Sequence, residues 1–217
     1  MPYFKNKNVN ILFIHIPKTG GTSVVSYFSS KFNIPLNNTS LYAYMDDQQK
    51  LNENICIHSS LQHVTYNQIL TYNKFFNIDF NNITIVTIVR NPYERIISDL
   101  FWYKKIKVDT TTDEVLNIIH EYLLSDSYDN HNLPQHIFIT NSNKELIENI
   151  HVLKTENLIK DMHDLGYTDF NIIENYNPNK INCYDYLNNE SIRIINDFYD
   201  FDFILFNYSK IMTPLDK

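Results

Sequence analysis

Apolar and polar residues alternate between two periods along this chain. Val9–Ile16 is nearly continuously apolar, the pattern of a central parallel strand covered on both faces. Val24, Val25, Phe28 and Phe32 then fall at helical spacing, which predicts a helix over about Thr22–Phe32. Residues before Val9 read as a polar lead-in, and Asn33–Glu53 as an irregular connection with a short helix. Asn54–His58 predicts a second short strand ending on a histidine, followed by a helical run with Val64, Ile69 and Leu70. Ile83–Val89 is β-branched throughout and is the strongest strand signal; it stops at Arg90. The next helix has a cap at Asn91, Pro92 at its first position and Glu94 where a capping-box carboxylate belongs. Its apolar face is Tyr93, Ile96, Ile97, Leu100 and Phe101, with Glu94, Arg95, Ser98 and Trp102 off that stripe. Further elements are a helix over Asp113–Leu124, a strand at Ile150–Lys154, a helix from Glu156 to Leu165 stopped by Gly166, and a last helix over Ser191–Tyr199. Asn171–Tyr184 reads as irregular.

Strands that alternate with helices predict an α/β fold: one P-loop-like domain over residues 1–217, with a central, mostly parallel β-sheet flanked by helices. Ligands in such folds bind beyond the carboxyl ends of the strands. Three chemically marked features fall at such ends, namely the Lys18 loop, His58 and Arg90.

Composition narrows the classes. A net charge of −7 over 217 residues argues against nucleic acid as a partner. The two cysteines, Cys56 and Cys183, form neither a disulfide framework nor a zinc pattern, and read as buried or partly buried thiols. No apolar run approaches the ~18 residues of a membrane span, and no signal peptide opens the chain, so a soluble, cytoplasmic protein is expected. The spacing of His, Cys and carboxylates suggests no metal site.

The loop Pro17-Lys18-Thr19-Gly20-Gly21-Thr22-Ser23 holds two of the three glycines in the chain. Glycines in so glycine-poor a sequence mark a sharp turn or a close approach to a ligand. The loop opens onto a helix N-terminus, where unpaired N–H groups and the helix dipole favour an anion, and Lys18 adds a full charge. ATP- and GTP-binding loops place the lysine after the glycines and need a carboxylate for Mg²⁺. Here the lysine precedes the glycines, and the strong strand ends on Arg90. The chain has three arginines, and two lie in Arg90-Asn91-Pro92-Tyr93-Glu94-Arg95. A scarce arginine at a strand end suits bidentate recognition of a second phosphate, or an ion pair that stabilises the sheet edge.

Together these segments resemble the sulfotransferases that use 3′-phosphoadenosine 5′-phosphosulfate (PAPS), in particular the Golgi-type carbohydrate enzymes of the heparan, chondroitin and dermatan group and their bacterial and viral-type relatives. Pro17–Ser23 is similar to their 5′-phosphosulfate loop, and Arg90 to Ser98 to their 3′-phosphate motif R-[ND]-P-x-x-R-x-x-S. His58-Ser59-Ser60-Leu61, Leu133-Pro134-Gln135, Lys154-Thr155-Glu156-Asn157-Leu158 and Phe198–Tyr208 resemble further family segments, so the likeness covers nearly the whole chain.

The resemblance implies a role for each matched residue. Lys18 would contact the phosphosulfate and neutralise the leaving phosphate. Pro17, Thr19, Gly20, Gly21, Thr22 and Ser23 would build the 5′-phosphate cradle. Arg90 and Ser98 would hold the 3′-phosphate, and Thr155 and its neighbours would lie near the adenine. His58 would be the general base, with His63 the neighbouring alternative, while His15 reads as a buried strand residue. The donor would be PAPS, the product 3′-phosphoadenosine 5′-phosphate (PAP), the acceptor a hydroxyl, in the first place of a glycan, and no metal would be required. Lys104, Lys105 and Lys107 read equally as a basic lip for an anionic glycan and as a solvated helix end. The animal members carry an N-terminal membrane anchor; no such segment is seen here, and oligomeric state is not legible. Two alternatives stay open: a P-loop kinase or nucleotide hydrolase, and a PAP(S)-binding protein without turnover.

Overall fold

The computed structural model describes residues 1–37, 40–42, 55–125, 128–171 and 181–212. Its centre is a four-stranded sheet in the order β1 (Tyr3–Lys5), β2 (Asn10–Ile14), β3 (Thr84–Val89) and β4 (Ile150–Lys154). β1 runs antiparallel to β2, while β2, β3 and β4 are mutually parallel, with Ile14 opposite Thr87 and Val89 opposite Lys154. The expected mostly parallel α/β sheet is therefore present. β1 lies in the stretch expected to be a polar lead-in; Tyr3 and Phe4 are buried there, and a three-residue edge strand is too short to show a period.

Alternation along the strands explains why both sheet faces are covered. Ile11 and Phe13 of β2, with Val86 and Ile88 of β3, face one side. There they meet Val24, Val25 and Phe28 of α1 (Gly21–Phe32) and Leu158 and Met162 of a helix that follows β4. Leu12, Ile14, Ile85 and Val89 face the other side, against Ile55, Ile57, Leu61, Ile69 and Phe138. Short helices α2 (Tyr66–Thr71) and α3 (Asn73–Phe76) lie in this second layer. A separate helical cluster joins α4 (Pro92–Trp102), α5 (Thr112–Leu124) and α8 (Asn189–Phe198) through Tyr93, Ile97, Leu100, Ile119, Tyr122 and Ile195. The remaining helices are α6 (Gln135–Ile139), α7 (Leu158–Asp164) and α9 (Asp200–Leu205).

Several expectations shift. Ile55–His58 is not a strand: Ile55 and Ile57 are buried and Cys56 and His58 exposed, an alternation without a partner to pair with; Asn54 lies outside the described residues. Cys56 is consequently exposed rather than buried. Burial pushes the thiol of Cys183 up to about 12. The helix expected from Glu156 opens as a 3-10 turn, Thr155–Asn157, and Gly166 follows α7 with φ 99°, as its stop role requires. The connection over 33–53 and the irregular segment 171–184 fall largely outside the described residues. Among the described residues, no helix is long and apolar enough to cross a membrane.

Candidate active site

Parallel pairing puts the ends of β2, β3 and β4 at one edge, and three chemically distinct segments leave from it. They are the Lys18 loop after β2, Arg90 after β3 and Thr155 after β4. The Thr155 hydroxyl donates to the carbonyls of Thr19 (2.6 Å) and Val89 (3.1 Å), so one side chain ties all three ends together. Inside the loop, Thr19 Oγ1 donates to Ile16 O at 2.8 Å.

The loop's two glycines serve different needs. Gly20 has φ 86°, a left-handed conformation that a side chain would strain. Gly21 has none of that geometry; a Cβ there would sit 2.4 Å from Cδ2 and Nε2 of His15 and 3.2 Å from the Phe13 ring. The close approach inferred from the sequence is therefore made by the protein's own imidazole. Lys18 is also left-handed, at φ 64°, uncommon outside glycine. Its ammonium lies 4.4 Å from the ring centroid of Trp102, which is 65% exposed at the end of α4. Partial burial lowers the Lys18 pKa; the Asp99 charge opposes that and Arg90 adds to it.

Arg90 is fixed at both ends. Its N–H donates to Gln135 Oε1, and Gln135 Nε2 donates back to Arg90 O, each at 2.8 Å. Its guanidinium donates to Glu94 Oε2 through Nε (3.3 Å) and Nη2 (3.1 Å), and through Nη1 to Lys18 O at 3.4 Å. The ion pair foreseen as an alternative for Arg90 thus exists and at the same time aims the guanidinium at the loop. It also draws Glu94 away from the capping box: the Asn91 N–H is met instead by Glu156 Oε1 at 2.8 Å, while the Asn91 side chain does cap the helix. Ser98 is half-buried on α4, and its hydroxyl has no hydrogen bond to the described residues.

Arg95 lies off the apolar stripe of α4, yet it is 2% exposed. It donates to Pro17 O (3.0 Å), Leu133 O (2.9 Å) and His131 O (2.6 Å), and so braces the root of the Lys18 loop against residues 131–133. Asp202, fully buried, similarly accepts the N–H groups of Gln135 (2.7 Å) and His136 (2.8 Å) and holds the Pro-Gln turn under Arg90.

Beside the loop lies a histidine cluster that no motif announced. The rings of His15 and His63 are 5.3 Å apart, and those of His63 and His131 4.8 Å. His63 Nδ1 is 2.9 Å from Asp129 Oδ2, and His131 Nδ1 is 2.8 Å from Asp99 Oδ1. Asp99 also accepts from the Tyr122 hydroxyl. His15 is buried, as expected, and its Nδ1 has no partner among the described residues. Burial depresses its pKa well below the ordinary value, helped by His63, the Met1 amino group and His131. Burial also lowers the pKa of His63, against the pull of Asp129. Burial would raise Asp129, but the hydrogen bonds from His63 and Ser60 hold it at about 2. Potential ligand atoms of His63, Asp129 and His131 lie within 4.8 Å of one another, a proximity that sequence spacing did not reveal. His63 and His131 each have Nδ1 on a carboxylate.

His58 is exposed and makes no hydrogen bond with the described residues. Lys104, Lys105 and Lys107 are exposed beyond α4, and Lys105 approaches the Tyr128 ring at 5.8 Å. An open groove of about 540 Å³ runs along Thr155–Lys160 and His163 to Asp164.

No curated protein and no solved structure matches this sequence significantly. A family model described as "Sulfotransferase family" matches residues 1–209, nearly the whole chain. The Lys18 loop and Arg90, joined at one sheet edge, are in the segments that carried the resemblance, and the chain belongs to the sulfotransferase family, that of the carbohydrate sulfotransferases.

Proposed function

We propose that the chain is a single sulfotransferase domain that moves the sulfuryl group of PAPS to a hydroxyl of a carbohydrate. Membership of the family implies the donor and a hydroxyl acceptor. The observation that carries the reading is the joining of the Lys18 loop to Arg90, an arginine directly after β3 where a Mg²⁺-dependent nucleotide site commonly has a carboxylate. In this reading the backbone N–H groups of Thr19 to Ser23, with the Thr22 and Ser23 hydroxyls, cradle the 5′-phosphate at the start of α1. Arg90, aimed by Glu94, takes the 3′-phosphate together with Ser98. The groove beside Thr155 is the place for the adenine.

The chemistry is an in-line displacement. The acceptor oxygen forms a bond to sulfur as the bond from sulfur to the phosphate oxygen breaks, and PAP leaves with the electron pair. Lys18 neutralises the charge that the leaving phosphate gains, an effect that a preorganised, water-poor site strengthens. The hydroxyl proton passes to an imidazole of the His58–His63 segment; the resemblance points to His58. No metal is assigned a role.

Isothermal titration with PAP, with and without Mg²⁺, tests the donor site. Binding that is independent of Mg²⁺ and stronger than that of ATP is expected; equal ATP binding that requires Mg²⁺ would sink the reading. His58→Ala and His63→Ala, assayed for PAP binding and for transfer to a glycan panel, test the proton acceptor.

A further inference from the structure

We infer that Asp129 is a positioning residue for the proton transfer, and that through it His63 presents a free Nε2 as the proton acceptor. The inference rests on the sulfotransferase reading and deepens it. Asp129 gathers the irregular segment between Ser59 and His63 with one carboxylate. Oδ1 accepts the Ser60 N–H at 2.5 Å, and Oδ2 accepts the Ser60 hydroxyl at 2.9 Å and faces His63 Nδ1 at 2.9 Å. Its neighbour Asn130 adds a bond from Nδ2 to His63 O at 2.8 Å. Backbone pairing does not hold residues 55–60; these side-chain bonds, with the burial of Ile55 and Ile57, hold the segment in place.

An ionised carboxylate on Nδ1 fixes the neutral imidazole as the Nδ1–H tautomer. The lone pair is then on Nε2, the arrangement a general base needs, with the partner also stabilising the imidazolium that forms. His58 has no such partner among the described residues. His63 also sits on the right side of the molecule. Its ring touches His15, whose imidazole packs on Gly21 of the phosphate loop, and His131, whose carbonyl Arg95 ties to Pro17. In the step, the acceptor hydroxyl gives its proton to Nε2 while its oxygen bonds to sulfur, and the positive charge gained by the imidazole is balanced by Asp129.

The test uses the full chain with Asp129→Asn, Asp129→Glu, His63→Ala and His58→Ala. Imidazole ¹⁵N spectra of the wild type should show His63 as the Nδ1–H tautomer; Asp129→Asn should lose that preference and Asp129→Glu regain it. PAP affinity should change by less than about 3-fold in all four variants. PAPS turnover is read with the glycan of the panel that gives the highest rate, or with water as acceptor where none does. A positioned base is worth ~10²–10⁴-fold. His63→Ala should lose about that factor, Asp129→Asn at least about 10-fold in kcat with the KM for PAPS unchanged, and His58→Ala only a few-fold. The inference is overturned if Asp129→Asn keeps the tautomer or the turnover, if it loses PAP affinity as much as turnover, or if His58→Ala rather than His63→Ala abolishes transfer. A wild-type chain that does not bind PAP would instead overturn the sulfotransferase reading, and the tautomer spectra would still judge the hold of Asp129 on His63.

Discussion

The two halves of the candidate site are built by different means. On the donor side, Arg90 and Thr155 directly follow parallel strands and Lys18 lies in the loop after a third, so sheet register brings them to one edge, where the Thr155 hydroxyl ties them. On the histidine side, Ile55–Ser60 has no ladder to hold it, and side chains from distant segments fix its course: Asp129 on Ser60 and His63, and Tyr72 on the Cys56 N–H at 3.0 Å. A phosphate cradle needs backbone N–H groups and a helix end, which a strand–loop–helix unit supplies locally. A base needs one imidazole in one tautomer, which a distant carboxylate can set without any regular structure around it. The donor side should therefore tolerate side-chain changes in its fold while losing chemistry, and the histidine side should respond through its polar contacts.

The sharpest way to break this comparison is Lys18→Ala. The side chain rests on exposed Trp102 and supports little of the core. Removing one preorganised stabiliser of transition-state charge costs ~10²–10³-fold in rate. Transfer should fall by about that factor while thermal stability stays the same; a parallel loss of stability would show that the loop is not held independently of its lysine.

Arg95→Met comes next, because Arg95 is the strut between the two halves. Its removal leaves carbonyls of Pro17, His131 and Leu133 without their donor in a buried place. Each buried unsatisfied group costs about 1–3 kcal/mol. Urea denaturation should show a loss of about 3 kcal/mol or more, and PAP binding and the His63 spectra should both be disturbed. Disturbance of only one side would separate the halves more completely than the structure suggests.

The smallest effect is the pH dependence of stability. His15 and His63 have pKa values lowered in the folded state, so the unfolded chain binds more protons below about 6.5, their ordinary value. Their contribution is full above that pH and is lost as pH falls. Asp129, held at about 2 against 3.8, adds a second loss of the same sign between those values. Urea midpoints at pH 7.5, 6.0 and 5.0 should decline, and His15→Gln should flatten the decline; an unchanged slope in that variant would remove His15 as its source.

The donor side was readable because its signals are short in range. Ile83–Val89 ending on Arg90, the Asn91 cap and the Lys18 loop each occupy a few consecutive residues, and regular structure carries them to one place. Boundaries moved by one or two residues, as at β2 and β3. Gly21 reads as a place of sharp turning or close ligand approach; the neighbour that crowds it is His15 of the same chain, a contact visible only in three dimensions.

The histidine side was legible only as residue types. Asp129 lies 66 residues from His63 and in no periodic element, and Arg95 lies off the apolar stripe of its helix, so the helical period alone does not bury it. Its burial arises because α4 is covered on a second side by residues 131–133, a packing that no helical period encodes. Glu94 carried a capping-box signal, yet Arg90 claims it and Glu156 takes its place, since a charged partner at close range outweighs a local cap.

Sequence by itself determined the ends of β3 and β4, the strand–loop–helix around Lys18 and the family, because hydrophobic period, turn chemistry and motif order are local properties of the chain. Tertiary structure alone decided which histidine has a carboxylate behind it, which arginine is buried and what the second loop glycine makes room for. Those outcomes depend on side chains meeting across tens of residues, where neither periodicity nor spacing fixes the distance.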